Sequence, residues 1–233
     1  MDLLLVPGFM ADQSLWDDLL PFLPPDVTVH FADLNTGTTI ETMARAILAT
    51  APAHFIVLGF SMGGYVARAI AYLAPERVAG IVLVATSARP DKPALVEKRI
   101  AAARQMANSA FHGLARGSIR ASLHVGRAQD AAMIERVRAM GERLGIDVFL
   151  RQTEVVRAGD VAQLAALACP ALVIAADGDQ LRTVDEAREQ ADGIPGARLA
   201  VIKQSGHMIP LEAPQVLGGV ISNWIRTYVT AGR

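Results

Sequence analysis

Apolar residues fall into six short runs along the chain, each bounded by glycine, proline or polar residues. The runs are rich in Val, Ile and Leu, and most are apolar at consecutive positions, which is typical of strands buried on both faces. They predict strands at residues 3–6, 27–31, 55–58, 78–84, 171–175 and 198–202.

Between most of these runs, apolar residues recur three or four positions apart, which is the spacing of a helix with one buried face. Such helices are predicted at 15–20, 40–48 and 65–73, and from about 183 and 213 onwards. Three of them have alternative N-caps: Asp12 or Ser14, Thr38 or Thr39, and Thr183 or Asp185. Strands that alternate with helices need crossover connections, so the pattern predicts an α/β fold with a mostly parallel sheet and helices on both faces.

The pattern changes between about residues 88 and 165, where no strand is predicted. Apolar residues, among them Met106, Met133 and Met140, keep a helical spacing, and glycines interrupt the stretch at positions 113, 117, 126, 141 and 145. We expect three to five short helices here, inserted between two strands of the sheet. The predicted organisation is a single domain, 1–233, with a small helical insert at about 88–165.

The composition excludes several classes of protein. Of the 233 residues, 52% are hydrophobic and the net charge is -1, so the chain can bury a large core and has no basic patch for nucleic acid. The sole cysteine, Cys169, rules out an internal disulfide, and beside Pro170 it is predicted to be a buried structural thiol. No apolar run has the length of a membrane span or a signal peptide. We expect a cytoplasmic protein with no membrane span; its oligomeric state is not predicted.

The strand at 55–58 leads into Gly59-Phe60-Ser61-Met62-Gly63, and a predicted helix follows at once. A strand that turns sharply into a helix passes through a cramped bend, where flanking glycines avoid collisions and the central side chain is lifted clear of the backbone. The first amides of the helix favour a negative charge at the same point. This context predicts a nucleophile at Ser61 rather than an incidental serine in a glycine-rich turn.

Three other predicted strands end at residues with catalytic chemistry. Pro7-Gly8-Phe9-Met10 follows the first strand, Asp177 and Asp179 follow the fifth, and His207 follows the last. Reactive groups in an open parallel sheet gather at the carboxyl ends of its strands. A serine needs an imidazole to accept its proton, and the imidazole needs a carboxylate to hold its tautomer. Gly178 favours Asp179 as the acid, because a glycine with positive φ lets the chain turn back there, while Asp177 is expected to bond to turn amides.

The chain resembles the α/β-hydrolase superfamily over essentially its whole length, as a small capped member of the esterase or lyase type. Two positions depart from the family's usual pattern. Pro7 replaces a histidine whose side chain usually braces the loop, and Ala176 replaces a glycine. The motifs that carry the resemblance are Pro7-Gly8-Phe9, Gly59-Phe60-Ser61-Met62-Gly63-Gly64, the run 172–179 and the run 206–214.

The resemblance implies a role for each site residue. Ser61 is the expected nucleophile, His207 the base and Asp179 the acid. The backbone N–H groups of Phe9 and Met62 are the expected oxyanion hole. The position of the helical insert matches that of the family's cap.

The pocket predicted around these residues is apolar. Met10, Phe60 and Met208 flank the site motifs, which suits a small-molecule substrate with an apolar acyl or aromatic part. The Arg and Lys residues of the insert are expected to form solvated faces. No metal-ligand spacing and no glycine-rich dinucleotide motif after a strand occurs in the sequence, so neither a metal nor a cofactor is predicted.

The predicted function is hydrolysis of a small carboxylic ester or thioester by a serine hydrolase, through an acyl-enzyme. One alternative is a lyase or C–C bond hydrolase that uses the same triad. Another is a small-molecule receptor that keeps the triad but turns its ligand over slowly. A structural module with an idle pocket is disfavoured, because Ser61, Asp179 and His207 are all present.

Overall fold

A six-stranded parallel sheet forms the centre of the structure. The computed structural model describes residues 1–106 and 110–229, with only the backbone described at Met106. The strands lie in the order β2-β1-β3-β4-β5-β6, and every neighbouring pair is parallel. The predicted α/β fold is confirmed, and each strand end lies within two residues of its predicted position. The strands are β1 Asp2–Val6, β2 Thr28–Phe31, β3 Phe55–Phe60, β4 Val78–Val84, β5 Ala171–Ala176 and β6 Arg198–Ile202.

Helices connect the strands and cover both faces of the sheet. They are α1 Ile40–Leu48, α2 Met62–Leu73, α3 Pro93–Met106, α4 Arg116–Ser122, α5 Ala131–Glu154, α6 Val184–Gly193, α7 Ile209–Glu212 and α8 Pro214–Trp224. Short 3-10 helices lie at Gln13–Trp16, Leu20–Phe22, Val125–Arg127 and Val161–Ala166, and a π-helical segment, Ile225–Val229, continues α8. Within the described ranges, no helix combines the length and the apolar character that crossing a membrane would require.

Alternate residues of each strand face opposite sides of the sheet, so the strands contribute to two hydrophobic cores. On β1, Leu3 and Leu5 pack with Trp16 and α8, whereas Leu4 and Val6 pack with α1 and α2. Burying one such aliphatic side chain stabilises the fold by about 1.5–3 kcal/mol. The two cores hold the sheet from both sides, which fixes the relative positions of the strand ends that carry the site residues.

The first predicted helix is instead a pair of 3-10 turns. The side chain of Asp12 accepts a hydrogen bond from the Ser14 amide at 3.0 Å and begins the first turn. Pro21 has no N–H to donate, and in a continuous α-helix its ring would collide with the carbonyl of Asp17. The apolar spacing therefore buries the Leu and Trp residues of this stretch without forming an α-helix.

The segment between β4 and β5 contains α3, α4 and α5, and its described residues form no strand. Helix α5 spans 24 residues, but its backbone is non-helical at Gly145, where φ is 80° and ψ is 175°. This kink divides α5 into two consecutive helices, and the first of them runs through Gly141. At Gly141 a Cβ atom would lie only 3.2 Å from the Cα of Gly113, so this glycine serves close packing rather than helix termination.

Candidate active site

Ser61 lies in the sharp turn between β3 and α2. Its φ is 52° and its ψ is -114°, a conformation that costs a residue with a side chain about 1–3 kcal/mol. The surroundings hold it there from both sides. The Ser61 amide donates to the carbonyl of Val84 at 2.9 Å, and the Thr86 hydroxyl donates to the Ser61 carbonyl at 2.7 Å.

Steric contacts explain why glycines occupy the positions two residues before and two residues after Ser61. A Cβ atom on Gly59 would lie 2.3 Å from the carbonyl oxygen of Gly63. On Gly63 it would lie 2.3 Å from the carbonyl oxygen of Pro7, which belongs to the segment that follows β1. The first glycine therefore allows the turn itself, and the second brings the start of α2 against the end of β1.

The structure brings Ser61, His207 and Asp179 together into one hydrogen-bonded chain. His207 Nε2 lies 2.9 Å from Ser61 Oγ, and His207 Nδ1 lies 2.8 Å from Asp179 Oδ2. The carboxylate also accepts hydrogen bonds from the amides of Leu181 at 2.7 Å and Arg182 at 3.0 Å. Because an ionised carboxylate only accepts hydrogen bonds, the proton between it and the ring belongs to Nδ1, which leaves Nε2 as the acceptor for the serine hydroxyl.

The other candidate acid, Asp177, is directed away from this chain. Its Oδ1 atom accepts a hydrogen bond from the amide of Gln204 at 2.8 Å, which ties the end of β5 to the loop that follows β6. The expectation of a positive φ at Gly178 is wrong, because that glycine is not among those in the left-handed region. Its small size is needed instead: a Cβ atom would lie 2.5 Å from His124 Cδ2 and 2.8 Å from the carbonyl oxygen of Ser205.

A buried acid that the sequence did not single out holds the loop that carries His207. The carboxylate of Glu212 accepts hydrogen bonds from the Gly206 amide at 3.1 Å and from the His124 amide at 2.8 Å. The amide of His207 in turn donates to the carbonyl of Ser122 at 2.7 Å. The loop is therefore fixed to the helical insert as well as to the sheet. The available signal was an acidic residue inside the otherwise apolar end of the 206–214 motif.

The segment after β1 runs directly beside Ser61. A Cβ atom on Gly8 would lie 3.2 Å from the Cβ of Ser61, so the chain passes close to the serine on its way to Phe9. Met62 is the first residue of α2, and the amides of a first helical turn have no acceptor within the helix. The two residues implied as oxyanion donors, Phe9 and Met62, both line the cavity that contains the Ser61 side chain.

Met10 is held in an unusual conformation by a side chain from the insert. Its φ is 53°, and its amide donates to Oε1 of Gln152 at 2.8 Å. The Gln152 amide group donates in turn to the carbonyl of Leu34 at 3.0 Å, and the glutamine is 2% exposed. Gln152 therefore braces the loop in which Pro7 replaces the family's histidine. The sequence offered only an uncharged polar residue within a helical stretch, which is too weak a signal to identify it.

The cavity beside Ser61 has a volume of about 440 Å³ and is largely apolar. The three predicted pocket residues, Met10, Phe60 and Met208, all line it. The ring of Phe60 lies 5.2 Å from the ring of His207, between centroids. The insert supplies much of the remaining wall through Leu114, Ile119, Val137, Met140 and Phe149.

Three arginines also line this cavity, and we refer to Arg99, Arg157 and Arg182 as the arginine cluster. The expectation that arginines of the insert are solvated is wrong for Arg99 and Arg157, whose side chains are 28% and 14% exposed. Asp91 accepts hydrogen bonds from the Arg157 Nε and amide at 2.9 and 3.1 Å. Burial alone would raise the pKa of Asp91, but the hydrogen bond and charge of Arg157, with the charge of Arg99, bring it below the ordinary value.

Cys169 is the other nucleophilic side chain that the sequence drew attention to. It lies just before β5 and is partly buried. Burial raises the pKa of its thiol to about 11, so the thiol is almost entirely protonated and unreactive at neutral pH. In the part of the chain that the structure describes, no group of three or more His, Cys, Asp or Glu side chains is placed to hold a metal ion.

Residues 3–218 match the model of a family described as the alpha/beta hydrolase family. The chain is 40% identical over 96 residues to a pimeloyl-[acyl-carrier protein] methyl ester esterase of Photobacterium profundum, an alignment covering 38% of each chain. It is 26% identical over 255 positions to a protein of the same name from Aromatoleum aromaticum, covering 97% of this chain and 98% of the other. For the first seven relatives of that name, the alignment spans only 36–47% of the relative's length.

Solved structures share the whole fold. A malate-bound thermophilic esterase from Thermogutta terrifontis is 27% identical, with a TM-score of 0.83, over 97% of this chain and 89% of the other. An enol-lactonase from Burkholderia xenovorans has a TM-score of 0.86 at 21% identity, over 97% of this chain and 91% of the other. At that identity the second likeness concerns the fold alone.

Proposed function

The chain belongs to the alpha/beta hydrolase family, and on that basis we propose that it is a serine esterase that cleaves a carboxylic ester through an acyl-enzyme. The observation that carries the proposal is the hydrogen-bonded chain from Ser61 through His207 to Asp179, on the wall of a largely apolar cavity. Relatives whose names describe methyl ester esterases support an ester as the group that is cleaved.

In the first half of the reaction, Ser61 Oγ attacks the ester carbonyl carbon while His207 Nε2 takes the hydroxyl proton. Asp179 accepts the Nδ1 proton in a hydrogen bond and stabilises the positive charge that forms on the ring. The amides of Phe9 and Met62 donate to the oxygen that becomes negative. The intermediate then expels the alcohol, which takes the proton from His207, and the acyl group stays bound to Ser61.

In the second half, a water molecule attacks the acyl carbon and His207 takes one of its protons. The same two amides stabilise the second negative oxygen, and its collapse releases the carboxylic acid and returns the proton to Ser61. The strained turn and the start of α2 keep Ser61 at one position through both halves, so neither half requires the nucleophile to be repositioned.

We also propose that the segment at about 88–165 is the cap of a single hydrolase domain. Its helices supply apolar walls of the cavity, through Ile119, Met140 and Phe149, whereas Ser61 and His207 come from the ends of strands. In this arrangement the cap shapes the space for the substrate, and the sheet holds the groups that react.

The test combines turnover with covalent labelling. Chromogenic esters and thioesters of graded chain length are assayed with the wild type, Ser61→Ala and Ser118→Ala, the last of which removes another hydroxyl on the cavity wall. Loss of the nucleophile in a serine protease costs about 10⁶ in kcat, so Ser61→Ala should be almost inactive on the best ester and Ser118→Ala should stay active.

A fluorophosphonate should add one label to the wild type, mapped to Ser61 by peptide mass spectrometry. Cys169 should stay unlabelled at neutral pH, because its raised pKa keeps the thiol protonated. A label elsewhere in active protein, or full ester hydrolysis by Ser61→Ala, would contradict the proposal. Turnover of thioesters alone would move the substrate class to thioesters without changing the roles of the residues.

A further inference from the structure

The arginine cluster holds more positive charge than the protein around it neutralises. Asp91 lies 2.9 Å from Arg157 and 3.5 Å from Arg99, and Glu186 lies 3.5 Å from Arg182. Among the described residues, two carboxylates thus pair with three guanidinium groups, which leaves one positive charge in excess. Burial and the positive charge of Arg157 lower the pKa of Arg99, against the opposing charge of Asp91.

The arginine cluster also has N–H donors for which the described residues provide no acceptor. Arg99 is anchored, because Nε and Nη2 donate to the carbonyls of Thr153 and Val155 at 3.0 and 2.9 Å. Arg157 uses Nε for Asp91, and among the described residues its Nη1 and Nη2 atoms have no acceptor within hydrogen-bonding distance. The Arg157 side chain is 14% exposed, and the residue lines the cavity. Its two terminal nitrogens can therefore donate to a ligand that has two oxygens in one plane.

Holding three arginines together in a half-buried site is unfavourable unless an anion compensates them, since each loses hydration and repels the others. Nothing in the proposed reaction at Ser61 needs this charge, because the ester carbonyl and the leaving alcohol are served by His207 and by backbone amides. The excess of one charge matches a monoanion. A carboxylate meets both requirements, one negative charge and two coplanar acceptor oxygens.

We propose that the arginine cluster binds a carboxylate group of the substrate, so that the ester cleaved at Ser61 also carries one free carboxylate at a distance from the scissile carbonyl. The apolar part of the cavity then holds the hydrocarbon chain between the two groups. The inference rests on the proposed function, because it names the class of ester that the same site cleaves. It adds a charged group to the predicted substrate, which has an apolar acyl or aromatic part.

The first test compares matched substrates. One series is the 4-nitrophenyl half-esters of unbranched dicarboxylic acids from adipate to azelate, and the other has an isopropyl group in place of each carboxylate. A charge-assisted hydrogen-bonded contact of this kind is worth about 10- to 100-fold, so kcat/KM for the best half-ester should exceed that for its isopropyl partner by that factor. The Arg157→Gln variant should bring the ratio close to one.

A control variant removes the charge of an arginine that lies outside the cavity. Arg188 lies exposed on α6 and pairs with Asp185 at 2.7 Å, so Arg188→Gln should leave the ratio as in the wild type. If circular dichroism shows that Arg157→Gln does not fold, Arg182→Gln supplies the same test, since within the described part of the chain the Arg182 side chain forms one ion pair, with Glu186 at 3.5 Å. A ratio near one in the wild type, or a ratio unchanged by both cavity variants, overturns the carboxylate subsite.

The second test measures binding without turnover. Calorimetry with methyl hydrogen adipate is carried out on Ser61→Ala and on Ser61→Ala combined with Arg157→Gln, and the affinity should fall about 10-fold or more in the double variant. Arginine-dependent binding in a protein that hydrolyses no ester would reject the esterase proposal and keep the subsite. Hydrolysis of the neutral esters with no arginine-dependent binding would keep the esterase and reject the subsite.

Discussion

Asp177 and Asp179 carry the same side chain two positions apart, yet the turn after β5 gives them different contacts. The carboxylate of Asp179 is inaccessible to solvent and bonds to His207 Nδ1 at 2.8 Å. Asp177 is partly exposed and bonds to the Gln204 amide at 2.8 Å. The difference follows from chain direction at the turn, where the first carboxylate meets the neighbouring loop and the second reaches the imidazole.

The amide variants of these two acids should therefore differ sharply. Asp179→Asn presents an NH₂ group or a weaker acceptor to Nδ1, which favours the wrong tautomer, and in a serine protease this change costs about 10⁴ in kcat. Asp177→Asn keeps an oxygen for the Gln204 amide, so its kcat should stay within a few-fold of the wild type. Steady-state kinetics on a chromogenic ester, with circular dichroism as a check on folding, measures both. Equal losses in the two variants would mean that the acid acts through the turn and not through His207.

At the scale of elements, helix α5 and the loop after β1 form one unit. The positive φ of Met10 is unfavourable for a residue with a side chain, and such conformations persist only when neighbours fix them. Gln152 supplies that constraint from α5, which reaches the loop only after more than 140 residues of chain. The helix that shapes the cavity therefore also positions the loop that carries the Phe9 amide.

Gln152→Met should act on the rate more than on substrate affinity. The variant leaves the Met10 amide and the Leu34 carbonyl buried without partners, each at a cost of about 1–3 kcal/mol, and the loop can relax away from its position beside Ser61. We expect kcat to fall about 10-fold or more with KM changed less, because one lost oxyanion donor costs about 10²–10³. Steady-state kinetics with a neutral ester gives both constants.

A neighbouring residue provides the matched control. Arg151 also joins α5 to the sheet side of the molecule, through a hydrogen bond from Nη1 to the carbonyl of Asn35, whereas the Met10 amide donates to Gln152. Arg151→Met should therefore lower stability without the loss in kcat. If both variants lower kcat equally, Gln152 contributes to the attachment of the helix and not to the placement of the loop.

For the molecule as a whole, the features that the sequence predicted correctly are those that depend on residues close together along the chain. The six strands, and the positions of Ser61 and His207 at strand ends, follow from local apolar runs and from residues next to them. Gln152 and the arginine cluster were missed, because their roles arise only when the insert folds over the carboxyl edge of the sheet. The reason predicted for Gly178 was wrong on the same ground, because the atoms that leave no room for a side chain there belong to His124 and to the Ser205 carbonyl, both distant in the sequence.

One buried side chain holds both ends of the insert to the sheet. Arg68 on α2 is fully buried, and Nε and Nη2 donate to the two carboxylate oxygens of Asp160 at 2.7 and 2.8 Å. Nη2 also donates to the carbonyl of Ser87 at 2.9 Å, and Nη1 donates to Gln190 on α6 at 3.0 Å. The Asp160 amide donates to the carbonyl of Ala88 at 2.8 Å, so the chain enters and leaves the insert at one point.

Asp160→Asn should therefore destabilise the whole fold. The amide still accepts a hydrogen bond, but the guanidinium of Arg68 is left buried without a counter-charge, which costs about 3–5 kcal/mol. The exposed pair of Arg89 and Glu189 is a matched control, and Glu189→Gln should change stability little because solvent already screens both charges. Urea unfolding followed by circular dichroism gives the two free energies. If both variants lose equally little free energy of unfolding, apolar contacts hold the insert to the sheet and the hydrogen bonds of Arg68 contribute little to stability.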